Sequence, residues 1–253
     1  YKDGTAIIHN KFLYDDDYNM LNSFITENSI KVRTLDVQIV DIADEIAYAA
    51  HDLEDGLRQK CFTIDEILHD FYRKYSNNES FKKLEEIVIE SRKNSGYQTE
   101  LLDSSIYSKL FRQELASQII NCLINDLGIC EISEKEKQKR GTQYEKELGF
   151  KQYGDIAHGL KNITFRCINH NDAVYTYEKK GSKILKTLVQ FYREKPDFLP
   201  PEYRKKNYRL KDNEDEEIIQ ERLICDFVSG MMDSYAINCY EKITGEKFER
   251  III

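Results

Sequence analysis

Apolar residues recur every three or four positions through much of the chain, which is the spacing of an amphipathic helix. The clearest run follows Thr34, a predicted N-cap, and ends near Gly56. The apolar side predicted for this helix consists of Leu35, Ile39, Ile42, Ile46, Ala50, Leu53 and Leu57. The pattern therefore predicts one long helix with a polar side and an apolar side.

Other segments carry weaker versions of the same pattern. Thr63 and Glu66 have the spacing of a capping box, which predicts a helix through Tyr75. Glycine, proline and polar clusters separate the remaining runs, and the last helix is expected to end at Gly245. The further predicted helices cover about residues 80–91, 104–127, 153–168, the second half of 171–192, and 214–244.

Two segments interrupt this helical pattern. Residues 131–147 are highly charged and nearly free of apolar side chains, which predicts a solvated loop or a frayed helix. Residues 171–192 begin with a tyrosine-rich stretch that predicts an irregular start. With three prolines among 253 residues and few residues typical of strands, the fold class expected is all-α.

Charge and cysteine usage limit the classes of protein. The net charge of -8 argues against a basic nucleic-acid footprint over the whole chain, although a local patch of cations could still contact phosphates. The six cysteines are scattered without a CxxC pair, which favours free thiols and a cytoplasmic location. No apolar run of about 18 residues is present, so we expect no membrane span.

The polar side of the helix after Thr34 carries an acidic stripe. At 3.6 residues per turn, Asp44, Tyr48, Asp52 and Asp55 fall on one side, with Asp41 one turn earlier. Such a stripe is usually the solvated face of an amphipathic helix. Periodicity alone therefore does not make it a functional site.

Residues 43–56 read ADEIAYAAHDLEDG. This segment resembles the ADxxAYxxHDxxDG motif of bacterial dGTP triphosphohydrolases and related deoxynucleoside triphosphate triphosphohydrolases of the HD type, named for a metal-binding His-Asp pair. Weaker similarity to the same family occurs at residues 11–12, 159–161, 177–181, 198–200 and 226–231. It covers nearly the whole chain.

This resemblance implies an all-α protein that forms the C-terminal part of an HD-type helical bundle, with additional C-terminal helices. Residues 1–75 would belong to the catalytic core. Residues 76–253 would complete the substrate pocket and could form an oligomer interface. In the family a divalent metal ion such as Mg²⁺ or Mn²⁺ is held by one histidine, a His-Asp pair and a later aspartate, which Asp44 matches.

The same motif implies how the sugar would be bound. Tyr48 matches a tyrosine that packs against the deoxyribose and excludes a ribose 2′-hydroxyl, although a half-buried core tyrosine is the alternative. Asp52 matches an aspartate that accepts a hydrogen bond from the 3′-hydroxyl. Metal, sugar ring and 3′-hydroxyl would then follow one another along a single helix.

Three further residues match the family loosely. Lys161 and Arg166 are candidates for the triphosphate because a highly charged ligand needs cationic donors. Tyr175 lies in a segment resembling the substrate side and could approach the base or the sugar. Ordinary surface charge and core packing are the alternatives for these residues.

Neither literal His-Asp dipeptide of the chain fits the family's metal pair. His51-Asp52 belongs to the later helix of the motif, and His69-Asp70 is more simply explained by surface or interhelical contacts. His158 and the other histidines are isolated. We therefore expect the remaining metal ligands and the acid-base group in sequence upstream of Tyr1, so this chain alone should be inactive.

The activity implied is metal-dependent hydrolysis of a deoxynucleoside triphosphate to a deoxynucleoside and inorganic triphosphate. The resemblance also implies a homo-oligomer and, in some members, a nucleotide activator. The alternatives are a non-catalytic regulator that senses nucleotides or binds single-stranded nucleic acid, another HD phosphohydrolase, and a structural protein whose acidic stripe meets a basic partner.

Overall fold

The computed structural model describes residues 14–31, 33–76, 78–96, 103–142, 144–207 and 215–248. Regular structure within these ranges consists of ten α-helices, three short 3-10 turns and one two-stranded sheet, which confirms the all-α prediction. None of the helices in these ranges combines the length and the apolar character needed to cross a membrane. The weakly similar pair at residues 11–12 lies outside the described residues.

The elements follow one another in a simple order. The helices are α1 (Asp15–Glu27), α2 (Leu35–Arg58), α3 (Ile64–Tyr75), α4 (Glu79–Asn94), α5 (Ser104–Asn125), α6 (Glu134–Arg140), α7 (Gly154–Asn169), α8 (Asp172–Glu194), α9 (Glu216–Ser229) and α10 (Asp233–Thr244). Strands β1 (Leu127–Glu131) and β2 (Lys146–Phe150) flank α6, and the 3-10 turns cover Pro196–Phe198, Pro201–Tyr203 and Lys205–Asn207.

The chain divides into two compact units, Tyr1–Phe165 and Arg166–Ile253. The family resemblance predicts a boundary between residues 75 and 76 that separates a catalytic core from the region completing the substrate pocket. That functional division stays a prediction.

The two helix starts read most clearly from the sequence are confirmed. The Thr34 hydroxyl accepts a hydrogen bond from the Val37 amide at 3.4 Å and begins α2. Thr63 and Glu66 form the predicted capping box, and α3 ends at Tyr75 as expected. Both caps satisfy backbone donors that a helix start leaves without partners.

The core of the first unit lies where α2 packs against α5. Ala49 and Ala50 of α2 are fully buried, and Leu53 is nearly so. The predicted apolar side was too long, since Leu35 is 58% and Ile39 is 49% exposed. Periodicity identifies residues that share a face, but it does not tell whether another element covers that part of the helix.

The charged segment 131–147 is more ordered than predicted. β1 and β2 pair antiparallel from Leu127↔Phe150 to Glu131↔Lys146. Glu147 on β2 is buried, and its carboxylate lies 2.7 Å from Nε of Arg33. The predicted helix is present as α6, but the two strands that flank it were not predicted. Pairing between opposite charges and a strand ladder organise a stretch that has little apolar surface of its own.

The hairpin is connected to both α2 and the start of α7. The amide of Leu148 donates to Oε1 of Gln38 in α2 at 2.9 Å. At the base of the hairpin, the Asp126 carboxylate accepts hydrogen bonds from the amides of Gln152, at 3.0 and 3.1 Å, and Tyr153, at 2.7 Å. These bonds fix the position at which α7 begins.

The second unit corrects two further expectations. α8 is helical from Asp172, without the predicted irregular start, because the Asn171 side chain accepts hydrogen bonds from two amides of the first turn. The predicted helix over 214–244 is two helices, with Gly230 as the C-cap of α9. Gly245, with φ 76°, ends α10 as expected. The core of this unit consists of Ile184, Leu188, Tyr192, Leu199, Ile224, Phe227, Val228, Ala236 and Tyr240.

Close packing between α7 and α3 predicts a destabilising substitution at Gly159. A Cβ atom there would lie 2.5 Å from Cε2 of Phe71 and 2.9 Å from Cε2 of Tyr75. We expect Gly159→Ala to lower the free energy of unfolding by about 1–3 kcal/mol in urea titrations, because the buried ring of Phe71 and the half-buried ring of Tyr75 must shift.

Gly181→Ala is the matched control, since a Cβ atom at that position of α8 meets nothing within 4 Å. It should stabilise the chain by about 0.5–1 kcal/mol through helix propensity. Equal effects of the two substitutions would contradict the predicted close contact.

Candidate functional site

The acidic stripe of α2 is not uniform in the folded chain. Asp41 pairs with Arg33 at 2.6 Å, and Asp55 pairs with Arg58 at 2.9 Å. Asp44, between them, is exposed, and within the described residues no hydrogen bond or ion pair engages its carboxylate. The aspartate that the motif singles out is therefore available to a ligand.

Tyr48 and Asp52 follow Asp44 at intervals of one turn, and α7 supplies a cation beside them. Nζ of Lys161 lies 4.8 Å from the centroid of the Tyr48 ring, which is a cation-π contact. Tyr48 remains 45% exposed, so its ring is not a core side chain. The structure thus brings together four of the predicted site residues.

The carboxylate of Asp52 is half-buried on the same side of α2. Burial raises the pKa of Asp52, and the nearby charge of Asp55 raises it further, whereas Lys161 and His51 act in the opposite direction. An aspartate in this environment accepts hydrogen bonds strongly once it is ionised.

Sequence reasoning missed a second contact between α2 and α7. Nε2 of His158 lies 2.8 Å from Oε1 of Glu45, whose side chain is 25% exposed. Nδ1 of the same ring lies 2.8 Å from the carbonyl oxygen of Gly154. His158 had been taken as an isolated histidine, but both of its ring nitrogens face acceptors.

This arrangement favours the charged imidazolium, since each nitrogen must carry a proton to donate. The hydrogen bond to Glu45 is the largest cause that raises the pKa of His158 above its ordinary value of 6.5. Burial alone would raise the pKa of Glu45, but the hydrogen bond and charge of His158 hold it below 4.5. The signal in the sequence was spacing: His158 lies three residues before Lys161, as Glu45 does before Tyr48.

The described ranges do not complete a metal site. Among their residues, no group of three or more His, Cys, Asp or Glu side chains could hold a metal ion. Asp44 can supply one carboxylate oxygen, which suits Mg²⁺ or Mn²⁺. Nδ1 of His51 lies 4.0 Å from Oε2 of Glu54, and its side chain is 63% exposed.

The other two predicted site residues, Arg166 and Tyr175, lie in the second unit. Both are exposed at the surface of that unit, and Nζ of Lys179 lies 5.3 Å from the centroid of the Tyr175 ring. In the same unit, the Tyr177 hydroxyl donates to Asp233 at 3.2 Å and so links α8 to α10. Their predicted roles toward a substrate stay predictions.

Part of the chain matches a known protein family. Residues 152–242 match the family described as the phosphohydrolase-associated domain. The matched segment includes α7 with Lys161, and it extends through most of the second unit.

Similarity to individual proteins covers more of the chain. A "Deoxyguanosinetriphosphate triphosphohydrolase-like protein 2" from Vibrio cholerae is 33% identical over 93% of this chain and 54% of its own length. Proteins named "Deoxyguanosinetriphosphate triphosphohydrolase-like protein" are 26% identical in Bartonella henselae, over 83% of this chain and 48% of that protein, and 23% identical in Geobacter metallireducens, over 97% and 58%.

These matches confirm the family resemblance that the motif in α2 indicated. This chain is similar, over nearly all of its length, to dGTP triphosphohydrolase-like proteins. It spans about half the length of the curated relatives that it matches.

The ion pair between Glu45 and His158 predicts a pH-dependent stability. Because the pKa of His158 is raised, its contribution is present below pH 6.5 and is lost as the pH rises through the raised value. Because the pKa of Glu45 is lowered, its contribution is present above pH 4.5 and is lost as the pH falls further. His158→Gln should therefore lower the melting temperature most between these two values, on the order of 2 °C.

Arg92→Gln provides the control for this measurement, since it breaks the 2.8 Å pair between Arg92 and Asp65 on α4 and α3. This control pair contains no histidine. Melting curves followed by circular dichroism should show a constant difference for Arg92→Gln and a shrinking one for His158→Gln. A constant difference for both variants would rule out the charged pair.

Proposed function

We propose that this chain forms part of the active site of a metal-dependent deoxynucleoside triphosphate triphosphohydrolase. The observation that carries the proposal is the exposed carboxylate of Asp44, which no side chain in the described ranges engages. Tyr48 and Asp52 follow it at one-turn intervals, and Lys161 lies beside the tyrosine. The names of the similar proteins support the same reaction class.

Each residue of α2 then has a defined task. Asp44 would donate one ligand to a divalent metal ion, which would activate water and stabilise charge on the phosphate undergoing attack. The exposed ring of Tyr48 would pack against the deoxyribose. Asp52 would accept the hydrogen bond of the 3′-hydroxyl, and its raised pKa means that this acceptor is lost at acid pH.

Lys161 would bind the phosphates. Its ammonium group is held near the sugar position by the Tyr48 ring, and a cation-π contact leaves its donors free to reach a phosphate oxygen. Arg166 and Tyr175 remain proposed contacts to the phosphates and to the base or sugar. A homo-oligomer, a nucleotide activator and a cytoplasmic location are likewise proposed from the resemblance.

The remaining metal ligands and the acid-base group would come from sequence beyond this chain, by analogy with relatives about twice its length. The 253-residue chain alone should then release no inorganic triphosphate from dGTP, dATP, dCTP or dTTP in the presence of Mg²⁺ or Mn²⁺. Metal-dependent release by the chain alone would disprove this division of the active site.

In a complete protein that contains this chain, Asp44→Asn should abolish triphosphate release, because a neutral amide is a much weaker metal ligand than a carboxylate. We expect a loss of at least about 100-fold in kcat, measured by chromatography of deoxynucleoside and triphosphate. Asp36→Asn is the control, since Asp36 is an exposed aspartate in the first turn of the same helix. Equal activities of the two variants would remove Asp44 from the metal site.

Sugar selection tests the role of Tyr48. Tyr48→Ala should lower the ratio of kcat/KM for dGTP over GTP by about tenfold, because the space that excludes the 2′-hydroxyl would open. Tyr48→Phe keeps the ring and should keep the ratio. If the alanine variant discriminates as well as the phenylalanine variant, Tyr48 does not select the sugar.

A further inference from the structure

Two side-chain contacts join α2 to α7, and they lie next to each other along the two helices. Glu45 meets His158 at 2.8 Å, and three residues later on each helix Tyr48 meets Lys161 at 4.8 Å from the ring centroid. The contact between Glu45 and His158 is a short charged hydrogen bond with a defined geometry, whereas the cation-π contact between Tyr48 and Lys161 is looser. The hydrogen bond between Glu45 and His158 therefore limits where Lys161 can lie relative to Tyr48.

We propose that Glu45 and His158 form a positioning pair that holds Lys161 over Tyr48 and neutralises the carboxylate next to Asp44, so that a triphosphate can bind there. This inference deepens the proposed function and rests on it for the identity of the ligand. It assigns a role to two residues that the motif leaves without one.

The geometry excludes a direct chemical role for the imidazole. Nε2 donates to Glu45 and Nδ1 donates to the Gly154 carbonyl, so neither nitrogen is left to exchange a proton with a substrate or to bind a metal. The ring also makes an edge contact with Phe150, at 6.4 Å between centroids. Strand β2, the first turn of α7 and α2 together hold it in one orientation.

Charge gives the pair its second task. Glu45 is partly buried directly after Asp44, so without a partner it would add a negative charge beside a site meant for a polyanion. His158 is its direct partner, and the charges of Lys161 and Arg140 also act on it. Two further carboxylates interact electrostatically with His158, namely those of Asp155 and Glu136.

The positioning role can be measured without any ligand. In the chain with selectively labelled lysines, the ε-methylene protons of Lys161 should resonate upfield because of the Tyr48 ring current, with Lys161→Arg for assignment. His158→Gln should move this signal toward the ordinary lysine position. Arg92→Gln, which breaks the unrelated pair between α4 and α3, should leave it unchanged. An unchanged signal in His158→Gln overturns the proposal.

The neutralising role is tested with inorganic triphosphate as the probe, using isothermal titration of the same chain at low salt. His158→Gln should weaken binding about fivefold, because Glu45 keeps its charge. The double variant Glu45→Gln with His158→Gln should recover most of this loss, since two amides can still hydrogen-bond but carry no charge. A pair that only stabilised the fold would show no such recovery.

The two measurements separate the possible failures. Loss of the upfield signal together with recovery in the double variant supports the proposal, and lack of recovery overturns it. If neither the wild-type chain nor any variant binds triphosphate while the signal still depends on His158, the proposed phosphate role of Lys161 fails and the positioning contact stands.

Discussion

Burial of one side of α2 against α5 is the constraint on which the rest of the first unit depends. Ala49 and Ala50 leave no exposed surface, so α2 cannot rotate about its axis without opening the core. That fixed rotation presents Asp44, Tyr48 and Asp52 on the opposite side. A surface stripe gains a defined geometry in this way because the residues behind it are closely packed, not because its own side chains interact strongly.

Helix positions could be predicted wherever local chemistry determines them. The caps at Thr34 and Thr63 and the stop at Gly245 each satisfy backbone groups within one turn, so the sequence contains the whole interaction. The hairpin could not be predicted in this way, because Glu147 is stabilised by Arg33, more than a hundred positions away. Even there a local signal existed: Ser133 and Glu136 form a capping box that starts α6.

The candidate site shows the same division. Spacing on one helix was enough to place Asp44, Tyr48 and Asp52 on a common side. The partners from α7 could not be derived, because the pairing of Glu45 with His158 depends on how two helices lie against each other. Resemblance pointed to Lys161 but was silent on the histidine one turn before it. Side-chain contacts between different helices are therefore the part of the site that is hardest to predict from the sequence.

The base of the hairpin has a further consequence for how the chain can vary. Asp126 binds the amides at the start of α7 directly, so the two ends of the hairpin are joined independently of its tip. Residues near Gly141, where α6 ends in a left-handed turn, can therefore lengthen or shorten without moving α7. Related chains should differ in length at this tip, and a label inserted there would leave the register of the lysine-bearing helix intact.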